Sequence, residues 1–410
     1  MRRSIPVLAA TIGVALTLTA CSGSGDDTSS DGAGGGTTET SSGSLTVWVD
    51  ETREAAVQAA ATAFEDETGT TVELVQKNFE DIRTDFLAQV PTGEGPDITV
   101  GAHDWLGELT TNGVVAPIEL GDLADAFEPV SIEAFTSGGQ VYGLPYAVEN
   151  IALIRNTALA PTAPATWDEA VAAGQAAGTT YPILIQTSEE GDPYTYYPLQ
   201  TSFGAPVFEQ NADGSYTADL ALGGANGEAF AQWLQAQGAA GVLDTAMTYD
   251  IAVDAFVKGE SPFIIGGPWM LEKFADLDLA IDPVPAAGPE TAQPFAGVQG
   301  FYVSAQSKNA LLANDFLVNY LSTEDAQLAL YEAGDRPPAL TAAAETASAD
   351  PVTAGFRAVG ADAVPMPSIP EMGSVWQFWG VTEAAIINGS AEPVTAWQKM
   401  VTDIQGAIDS

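Results

Sequence analysis

Residues 44–100 read SLTVWVDETREAAVQAAATAFEDETGTTVELVQKNFEDIRTDFLAQVPTGEGPDITV, and this alternation of apolar strands with helical stretches decides the fold. Three segments have strand character: Leu45–Val49, Thr71–Val75 and Pro96–Val100. Two segments between them have helical periodicity: Ala55–Thr68, which stops at Gly69, and Phe79–Val90. Strands that alternate with helices at this spacing predict a parallel, doubly wound α/β sheet.

Ligands of such sheets bind beyond the carboxyl ends of the strands. The first strand ends at Asp50, and the third is followed by His103-Asp104-Trp105. Farther along, the apolar segment Pro262–Ile265 leads into Gly266-Gly267-Pro268-Trp269, which places Trp269 at a strand end by the same rule. The folded part continues to the C-terminus and exceeds the roughly 250–300 residues that one core usually spans, so we expect two lobes.

The N-terminus has the form of a secretory signal peptide over residues 1–20, in which Arg2 and Arg3 precede the apolar core Ile5–Thr19. This core is shorter than the roughly 20 apolar residues that span a bilayer. It leads into Cys21, the only cysteine, in a Leu-Thr-Ala-Cys context that resembles the lipobox of bacterial lipoproteins. We therefore expect Cys21 to be lipidated and to hold the protein on the extracellular face of the cell membrane. The alternative is an ordinary signal peptide with an incidental cysteine. Residues 21–43, rich in Ser, Gly and Thr, are expected to form a flexible linker.

The charge balance excludes some classes of partner. The chain has 55 acidic and 12 basic residues, a formal net charge of −43. Nucleic-acid binders need a basic footprint, so no nucleic-acid partner is expected. The same charge opposes docking of the folded part on anionic lipid and favours a soluble monomer. Contact with the membrane is therefore expected through the lipid anchor only.

The sequence contains no convincing motif for catalysis or metal binding. His103 is the only histidine, so a zinc cluster is not expected and a Ser-His-Asp triad would depend on this residue alone. Neither a phosphate-binding Gly-x-x-x-x-Gly-Lys motif nor the spacing of a calcium loop occurs. We predict no catalytic residue, no metal and no cofactor.

Aromatic residues near carboxylates are the remaining signal. They are Trp48, Trp105, Tyr194, Tyr197, Trp269, Trp376 and Trp379. Sugars stack their C–H faces on aromatic rings, and their hydroxyls hydrogen-bond to carboxylates. A cleft of this composition suits a neutral polar ligand, although any one of these tryptophans can equally belong to a core.

Several runs, taken in order from Ser44 to the C-terminus, resemble one family. They are Leu45–Val49, Gly93–Ile98, Ala102–Asp104, Leu144–Glu149, Asp192–Tyr194, Gly266–Trp269 and Met366–Met372. The chain is similar to the maltose- and maltodextrin-binding proteins, the family 1 extracellular solute-binding proteins of ABC sugar importers. The resemblance implies an α/β, two-lobed periplasmic-binding-protein-like fold, each lobe a sheet flanked by helices, with the ligand cleft between the lobes. It places the N-terminal lobe at 44–147 and 298–335, and the C-terminal lobe at 148–297 and 336–410.

The resemblance also implies a set of substrate-binding residues. They are Asp50, Asp104, Trp105, Glu149, Asp192, Tyr194, Tyr197, Trp269 and Trp376. The carboxylates match acceptors for sugar hydroxyls, and the aromatic residues match stacking platforms. The loop at Asp50 departs from the family pattern, which leaves Glu51 and Arg53 as alternatives there. Trp379 is likewise an alternative to Trp376.

The implied function is capture of maltose or maltodextrin and its delivery to the transmembrane permease subunits by hinge closure, without covalent chemistry. Another sugar, such as trehalose or a different oligosaccharide, is the alternative within this class. From other classes, the alternatives are a surface glycosidase that uses Asp104 and Glu149, and a structural or adhesive surface protein.

Overall fold

The computed structural model describes residues 43–211 and 216–409. The predicted signal peptide, Cys21 and the predicted linker up to residue 42 lie outside the described residues. Within the described ranges, no helix is both long and apolar enough to cross a membrane.

The first part of the chain builds most of one lobe. Its strands are β1 (Ser44–Val49), β2 (Thr71–Gln76), β3 (Ile98–Ala102), β4 (Val115–Ala116), β5 (Thr136–Ser137), β6 (Gln140–Val141) and β7 (Gly143–Asn150). Its helices are α1 (Glu51–Thr68), α2 (Phe79–Gln89), α3 (Leu106–Thr111) and α4 (Pro129–Ala134). Helix α1 begins at Glu51 rather than at the predicted Ala55, because the Asp50 side chain caps it by accepting the Thr52 N–H at 3.0 Å. It ends, as predicted, at Gly69, whose φ of 73° lies in the left-handed region.

The middle of the chain builds the second lobe. Its strands are β8 (Ala152–Asn156), β9 (Leu184–Ile185), β10 (Phe208–Gln210), β11 (Tyr216–Leu220), β12 (Phe263–Gly266) and β13 (Leu279–Asp282). Its helices are α5 (Trp167–Ala177), α6 (Pro193–Thr201), α7 (Gly224–Ala239) and α8 (Tyr249–Val257). Four of the strands form a sheet in the order β13-β8-β12-β9, in which β12 is parallel to β9 and antiparallel to β8.

The last part of the chain contributes to both lobes. Its strands are β14 (Phe295–Ser304) and β15 (Val364–Pro365). Its helices are α9 (Ala310–Phe316), α10 (Glu324–Gly334), α11 (Thr341–Ala347), α12 (Pro351–Gly360), α13 (Met372–Ile387) and α14 (Pro393–Ile408). Strand β14 lies inside the sheet of the first lobe, whose order is β15-β14-β3-β1-β2, with β4 and β7 also paired to β14.

The first sheet is only partly parallel. Strand β1 is parallel to β2 and β3, as predicted, whereas β14 is antiparallel to β3 and β7. The expectation of a parallel sheet is therefore wrong for β14. This strand returns from the second lobe and enters the sheet in the opposite direction.

Separate hydrophobic cores define the two lobes. One core contains buried residues between Leu45 and Ala147 and between Val298 and Ala343. Two further clusters contain buried residues between Ile151 and Phe295 and between Phe356 and Ile404. The two-lobed α/β fold is confirmed. The first core extends past residue 335, where the sequence places a lobe boundary.

Strands β7 and β14 connect the lobes, and a third segment, which follows α10, lies beside them. Strands β7 and β14 pair from Gly143 opposite Tyr302 to Asn150 opposite Ala296. The third segment follows α10, and its Pro337 carbonyl accepts the Val148 N–H at 2.9 Å. This pairing brings the side chains of residues 149, 299 and 336 to one place at the floor of the cleft.

Candidate functional site

An ionic hydrogen-bond network occupies the cleft floor. Glu149 on β7 accepts hydrogen bonds from Gln299 Nε2 at 2.9 Å and from Arg336 Nε at 2.8 Å, one on each carboxylate oxygen. Gln299 lies on β14 and Arg336 on the segment that follows α10, so one carboxylate joins three chain segments. Glu149 is only 5% exposed, and a buried carboxylate requires such partners.

Arg53 extends this network into the first lobe. It forms an ion pair with Asp50, donates to the Tyr146 hydroxyl, and donates from Nη2 to Gln299 Oε1 at 3.3 Å. Burial lowers the pKa of Arg53, and the nearby positive charge of Arg336 lowers it further, against the opposing effects of Tyr146 and Glu149. The two guanidinium groups therefore share one region of the cleft, and Asp50 lies beside them.

Asp192 forms the facing wall. Its carboxylate caps α6, accepting the Thr195 N–H at 3.2 Å, the Thr195 hydroxyl at 2.6 Å and the Gln186 amide. Burial raises the pKa of Asp192, these hydrogen bonds oppose the rise, and the negative charge of Glu80 adds to it. Because Glu80 lies on α2 of the first lobe, Asp192 faces across the cleft.

Tyr194 lies where the predicted acidic residues converge. Its hydroxyl is buried and has no hydrogen-bond partner among the described residues. Burial raises the pKa of Tyr194 well above its ordinary value, and the negative charges of Glu149, Asp104 and Asp192 raise it further. The fold thus gathers three carboxylates, which are distant in sequence, around one unpaired hydroxyl that is able to hydrogen-bond a polar ligand.

Trp269 adds a ring face to this cluster. It follows β12 and is half-buried, with its ring centroid 6.2 Å from that of Tyr194. The guanidinium carbon of Arg336 lies 5.9 Å from the Trp269 centroid. The position at the carboxyl end of a strand is the one that the sequence predicted.

Asp104 and Trp376 approach each other across the cleft. Burial raises the pKa of Asp104, whereas the charge of Arg83 and a hydrogen bond from the Trp376 indole lower it. Asp104 is positioned by its neighbour His103, whose Nδ1 accepts the Val298 N–H at 3.0 Å and whose Nε2 donates to the Met366 carbonyl at 3.0 Å. Both ring nitrogens are therefore used to fix the turn after β3. Burial lowers the pKa of His103, consistent with this neutral form.

Burial separates the two alternative tryptophans of α13. Trp379 is 0% exposed and donates from Nε1 to Gln200 Oε1 at 3.0 Å. Trp376 is half-buried and stacks on Trp379, with ring centroids 5.5 Å apart. Trp379 belongs to the core of the second lobe, and only Trp376 reaches the cleft.

Two of the predicted binding residues lie in the cores instead. Trp105 is 8% exposed and packs against Phe79, with centroids 5.2 Å apart. Tyr197 is 1% exposed and lies face to face with Phe295 at 3.5 Å. Their burial is explained by packing, so we leave both out of the candidate site. The sequence could not distinguish them, because Trp105 follows Asp104 directly and Tyr197 comes one helical turn after Tyr194.

The Asp50, Arg53 and Arg336 side of this network borders a cavity of about 970 Å³, and the rings of Tyr194, Trp269 and Trp376 are not among its lining residues. Asp50, Arg53 and Phe79 line it from the first lobe, and Tyr249 and Arg336 line it from the other side. The sequence analysis included Asp50 and considered Arg53, but it missed the other three and Gln299. No local motif marks these residues. The one available signal was that basic residues are scarce in this chain, 12 against 55 acidic ones, so each buried arginine needs a reason.

The site has no obvious metal-binding character. In the described part of the chain, no group of three or more His, Cys, Asp or Glu side chains could hold a metal ion. What the arrangement offers instead is a set of carboxylate acceptors, guanidinium donors and ring faces, with both guanidinium groups beside the cavity.

Comparisons with known proteins place these features in a family. The family model described as bacterial extracellular solute-binding protein matches residues 59–355. The maltodextrin-binding protein MdxE of Bacillus subtilis is 30% identical, over 92% of this chain and 90% of its own length. A maltooligosaccharide ABC transporter solute-binding lipoprotein of Streptococcus pneumoniae is 27% identical, over 99% of this chain and 97% of its own length. The structure of the Thermus thermophilus maltotriose binding protein bound with maltotriose matches with a TM-score of 0.81 and 34% identity, over 89% of this chain and 100% of that chain.

Proposed function

The chain belongs to the family of bacterial extracellular solute-binding proteins, and from this premise we propose that it captures maltose or a maltodextrin and delivers it to an ABC permease. The observation that carries the proposal is the convergence of the buried, unpaired Tyr194 hydroxyl, the Glu149 carboxylate and the Trp269 ring. This convergence occurs in a fold that matches a maltotriose-binding structure.

The chemistry of the cleft favours a neutral oligosaccharide. The carboxylates accept hydrogen bonds from sugar hydroxyls, and Tyr194, Trp269 and Trp376 offer ring faces to the apolar sides of pyranose rings. The surplus of carboxylates would repel an anionic ligand. The cavity beside Arg53 and Arg336, about 970 Å³, lies within the roughly 300–1,000 Å³ of ordinary ligand pockets, so it has room for an oligosaccharide.

Delivery would follow from the two-lobed construction. Closure of the lobes buries the sugar, and the closed form is the one that the permease subunits would receive. We propose that the protein acts as a monomer held on the extracellular face of the membrane by lipidated Cys21. The lipobox-like sequence supports this anchor, as does the description of the S. pneumoniae relative as a lipoprotein.

The same network argues for binding without catalysis. A glycosidase that used Asp104 and Glu149 would need Glu149 to act as nucleophile or base on the sugar. Both Glu149 oxygens already accept hydrogen bonds, one of them from the positively charged Arg336. These partners hold Glu149 in one orientation as a hydrogen-bond acceptor, with lone pairs left for sugar hydroxyls, and we propose that no bond of the sugar is broken.

A calorimetric titration of the full-length protein in detergent tests the proposal. The panel contains glucose, maltose, maltotriose, maltoheptaose, trehalose, sucrose and cellobiose. Saturable binding of the maltose series supports the proposed ligand, and binding of trehalose or cellobiose alone would replace it with another sugar. If the folded protein binds none of these sugars, the proposal is refuted.

A matched pair of variants locates the binding site. Trp269→Ala should weaken maltotriose binding by about 1–3 kcal/mol, the usual contribution of a stacking aromatic. Trp233→Ala is the control, because Trp233 packs among Trp167, Phe203 and Phe230 away from the cleft. Equal affinities for the two variants would remove Trp269 from the site.

A further inference from the structure

The backbone of Arg336 is fixed from both sides. Asp335 before it ends α10 in the left-handed conformation, with φ 54° and ψ 12°, which is unfavourable for a residue other than glycine. Two prolines follow: the Pro337 carbonyl accepts the Val148 N–H at 2.9 Å, and Pro338 bridges to Ala147. Strained backbone that the surrounding structure holds in place tends to occur at functional positions.

The Arg336 side chain still has donors to offer. Nε is used by Glu149, but the hydrogen bonds of the described residues include none from Nη1 or Nη2. The side chain is 12% exposed and lines the cavity of about 970 Å³. Arg53, the other guanidinium in this region, donates from all three of its nitrogens, to Tyr146, Asp50 and Gln299. Arg336 is therefore the guanidinium of the two that has donors left for a ligand.

We propose that Arg336 is a sugar-binding residue, which donates from Nη1 and Nη2 to neighbouring hydroxyl oxygens of the ring that stacks on Trp269. This inference rests on the proposed function and adds to it the residue that orients the sugar. The guanidinium carbon is 5.9 Å from the Trp269 centroid, so a ring stacked there comes within hydrogen-bond reach. The planar fork of donors matches two adjacent acceptors.

The division of roles follows from hydrogen-bond chemistry. The carboxylates of the cleft only accept, so they bind hydroxyls that act as donors and leave the hydroxyl oxygens without a charged partner. Arg336 supplies the opposite polarity. Because Glu149 holds its Nε, the fork is oriented before the sugar arrives, and binding does not have to order a long flexible side chain.

The test must separate sugar contact from charge compensation, because removing Arg336 alone leaves Glu149 buried without its counter-ion. Arg336→Met is therefore made in a Glu149→Gln background and compared with Glu149→Gln alone. Full-length proteins in detergent are titrated calorimetrically with maltotriose, and thermal unfolding is followed alongside. Arg336→Met should lower the association constant by about tenfold or more, because hydrogen bonds from a charged group are lost.

Equal affinity of the two Glu149→Gln proteins would overturn the proposal, since Arg336 would then act only as the counter-ion of Glu149. If either protein fails to fold or binds too weakly to measure, the maltotriose affinity of Arg336→Lys, made in the natural sequence, tests the proposal instead. This variant keeps the positive charge beside Glu149 but loses the fork, so a loss of about tenfold supports the proposal and unchanged affinity overturns it.

Two controls complete the design. Arg357→Met removes an exposed arginine that is paired with Glu128 at 2.8 Å, and it should leave the affinity unchanged. If the protein with its natural sequence binds no member of the maltose series, the proposed function fails and this assignment fails with it. If the natural protein binds the sugar and the compared variants bind it equally well, only the proposed role of Arg336 is refuted, and the proposed function stands.

Discussion

Alanine substitution of the two stacked tryptophans on α13 should separate stability from binding. The rings are neighbours, with centroids 5.5 Å apart and planes at 25°, yet one belongs to the core and the other to the cleft. Trp379→Ala is expected to destabilise the fold and leave the affinity for sugar nearly unchanged. Trp376→Ala is expected to weaken binding and leave the fold nearly unchanged.

The loss of stability expected for Trp379→Ala follows from the contacts of the ring. It is fully buried, meets Tyr197 edge-on at 6.0 Å and donates to Gln200 Oε1 at 3.0 Å. Deleting a buried tryptophan costs about 3–5 kcal/mol, and leaving the Gln200 oxygen unpaired adds about 1 kcal/mol or more. At about 2–4 °C per kcal/mol for a large domain, the melting temperature should fall by roughly 10 °C or more.

The loss of sugar affinity expected for Trp376→Ala follows from the position of the ring in the cleft. Trp376 is half-buried, and its indole lowers the pKa of Asp104 of the facing lobe. Losing a stacking platform should cost about 1–3 kcal/mol of binding free energy, which is a decrease in affinity of about 5- to 150-fold. The melting temperature of Trp376→Ala in the absence of sugar should fall less than that of Trp379→Ala, because the Trp376 ring is only partly buried.

Scanning calorimetry without sugar and titration with maltotriose give the two quantities for each variant. A large fall in melting temperature for Trp376→Ala together with a stable Trp379→Ala would refute the assignment of the rings. Unchanged affinity in a folded Trp376→Ala protein would remove this residue from the site, whatever its stability.

Three further predictions address other features. Glu383→Gln should stabilise the protein as the pH rises, by about 1 kcal/mol or more at alkaline pH, because both Glu383 carboxylate oxygens are buried without a hydrogen-bond partner among the described residues. Burial raises the pKa of Glu383 well above its unfolded value, and the charge of Asp192 adds to this. Its favourable contribution is therefore present at acid pH and lost as the pH rises through the folded pKa. Melting curves of variant and natural protein should coincide at acid pH and diverge above it. Gly191→Ala should lower the melting temperature markedly, because φ is 76° and an added Cβ would overlap the Gly380 carbonyl oxygen. The control is Gly178→Ala, since Gly178 has a φ of 71° and no atom within 4 Å of an added Cβ, so this variant reports the backbone strain alone. If both variants lower the melting temperature equally, the overlap with the Gly380 oxygen is refuted as the cause. Cys21→Ser should leave maltotriose affinity unchanged and move the protein from the membrane to the soluble fraction on cell fractionation, and retention in the membrane would contradict the lipid anchor.

Elements fixed by local interactions were predictable from the sequence. Helix α5 (Trp167–Ala177) is bounded in this way, because Thr166 caps its start and Gly178 ends it in the left-handed conformation. Helix α1 was predicted up to its end at Gly69 but not back to its start, because the cap at Asp50 depends on the side-chain geometry of one residue.

Features that depend on pairing between distant segments were not predictable in this way. The antiparallel course of β14 follows from a chain that leaves one lobe and returns to it, which no window of sequence contains. For the same reason Gln299 and Arg336 were missed, although they meet Glu149 in space. The aromatic residues show the opposite failure, because Trp105 and Tyr197 share the local context of cleft residues while their rings lie in the cores.

The pairing of β7 with β14 determines how the connection between the lobes resists rotation of one lobe against the other. The ladder continues through the crossing, and its register shifts between Gln299 and Gly300, so that Tyr146 is left without a direct partner. A hydrogen-bonded ribbon of this kind acts as a torsion spring, since rotating one lobe against the other twists the strands without detaching them. The opening angle therefore has a resting value set by the ribbon. A sugar that pulls the lobes together would work against that elastic restoring force, and its affinity would be weaker than its contacts alone would give by the energy of the twist.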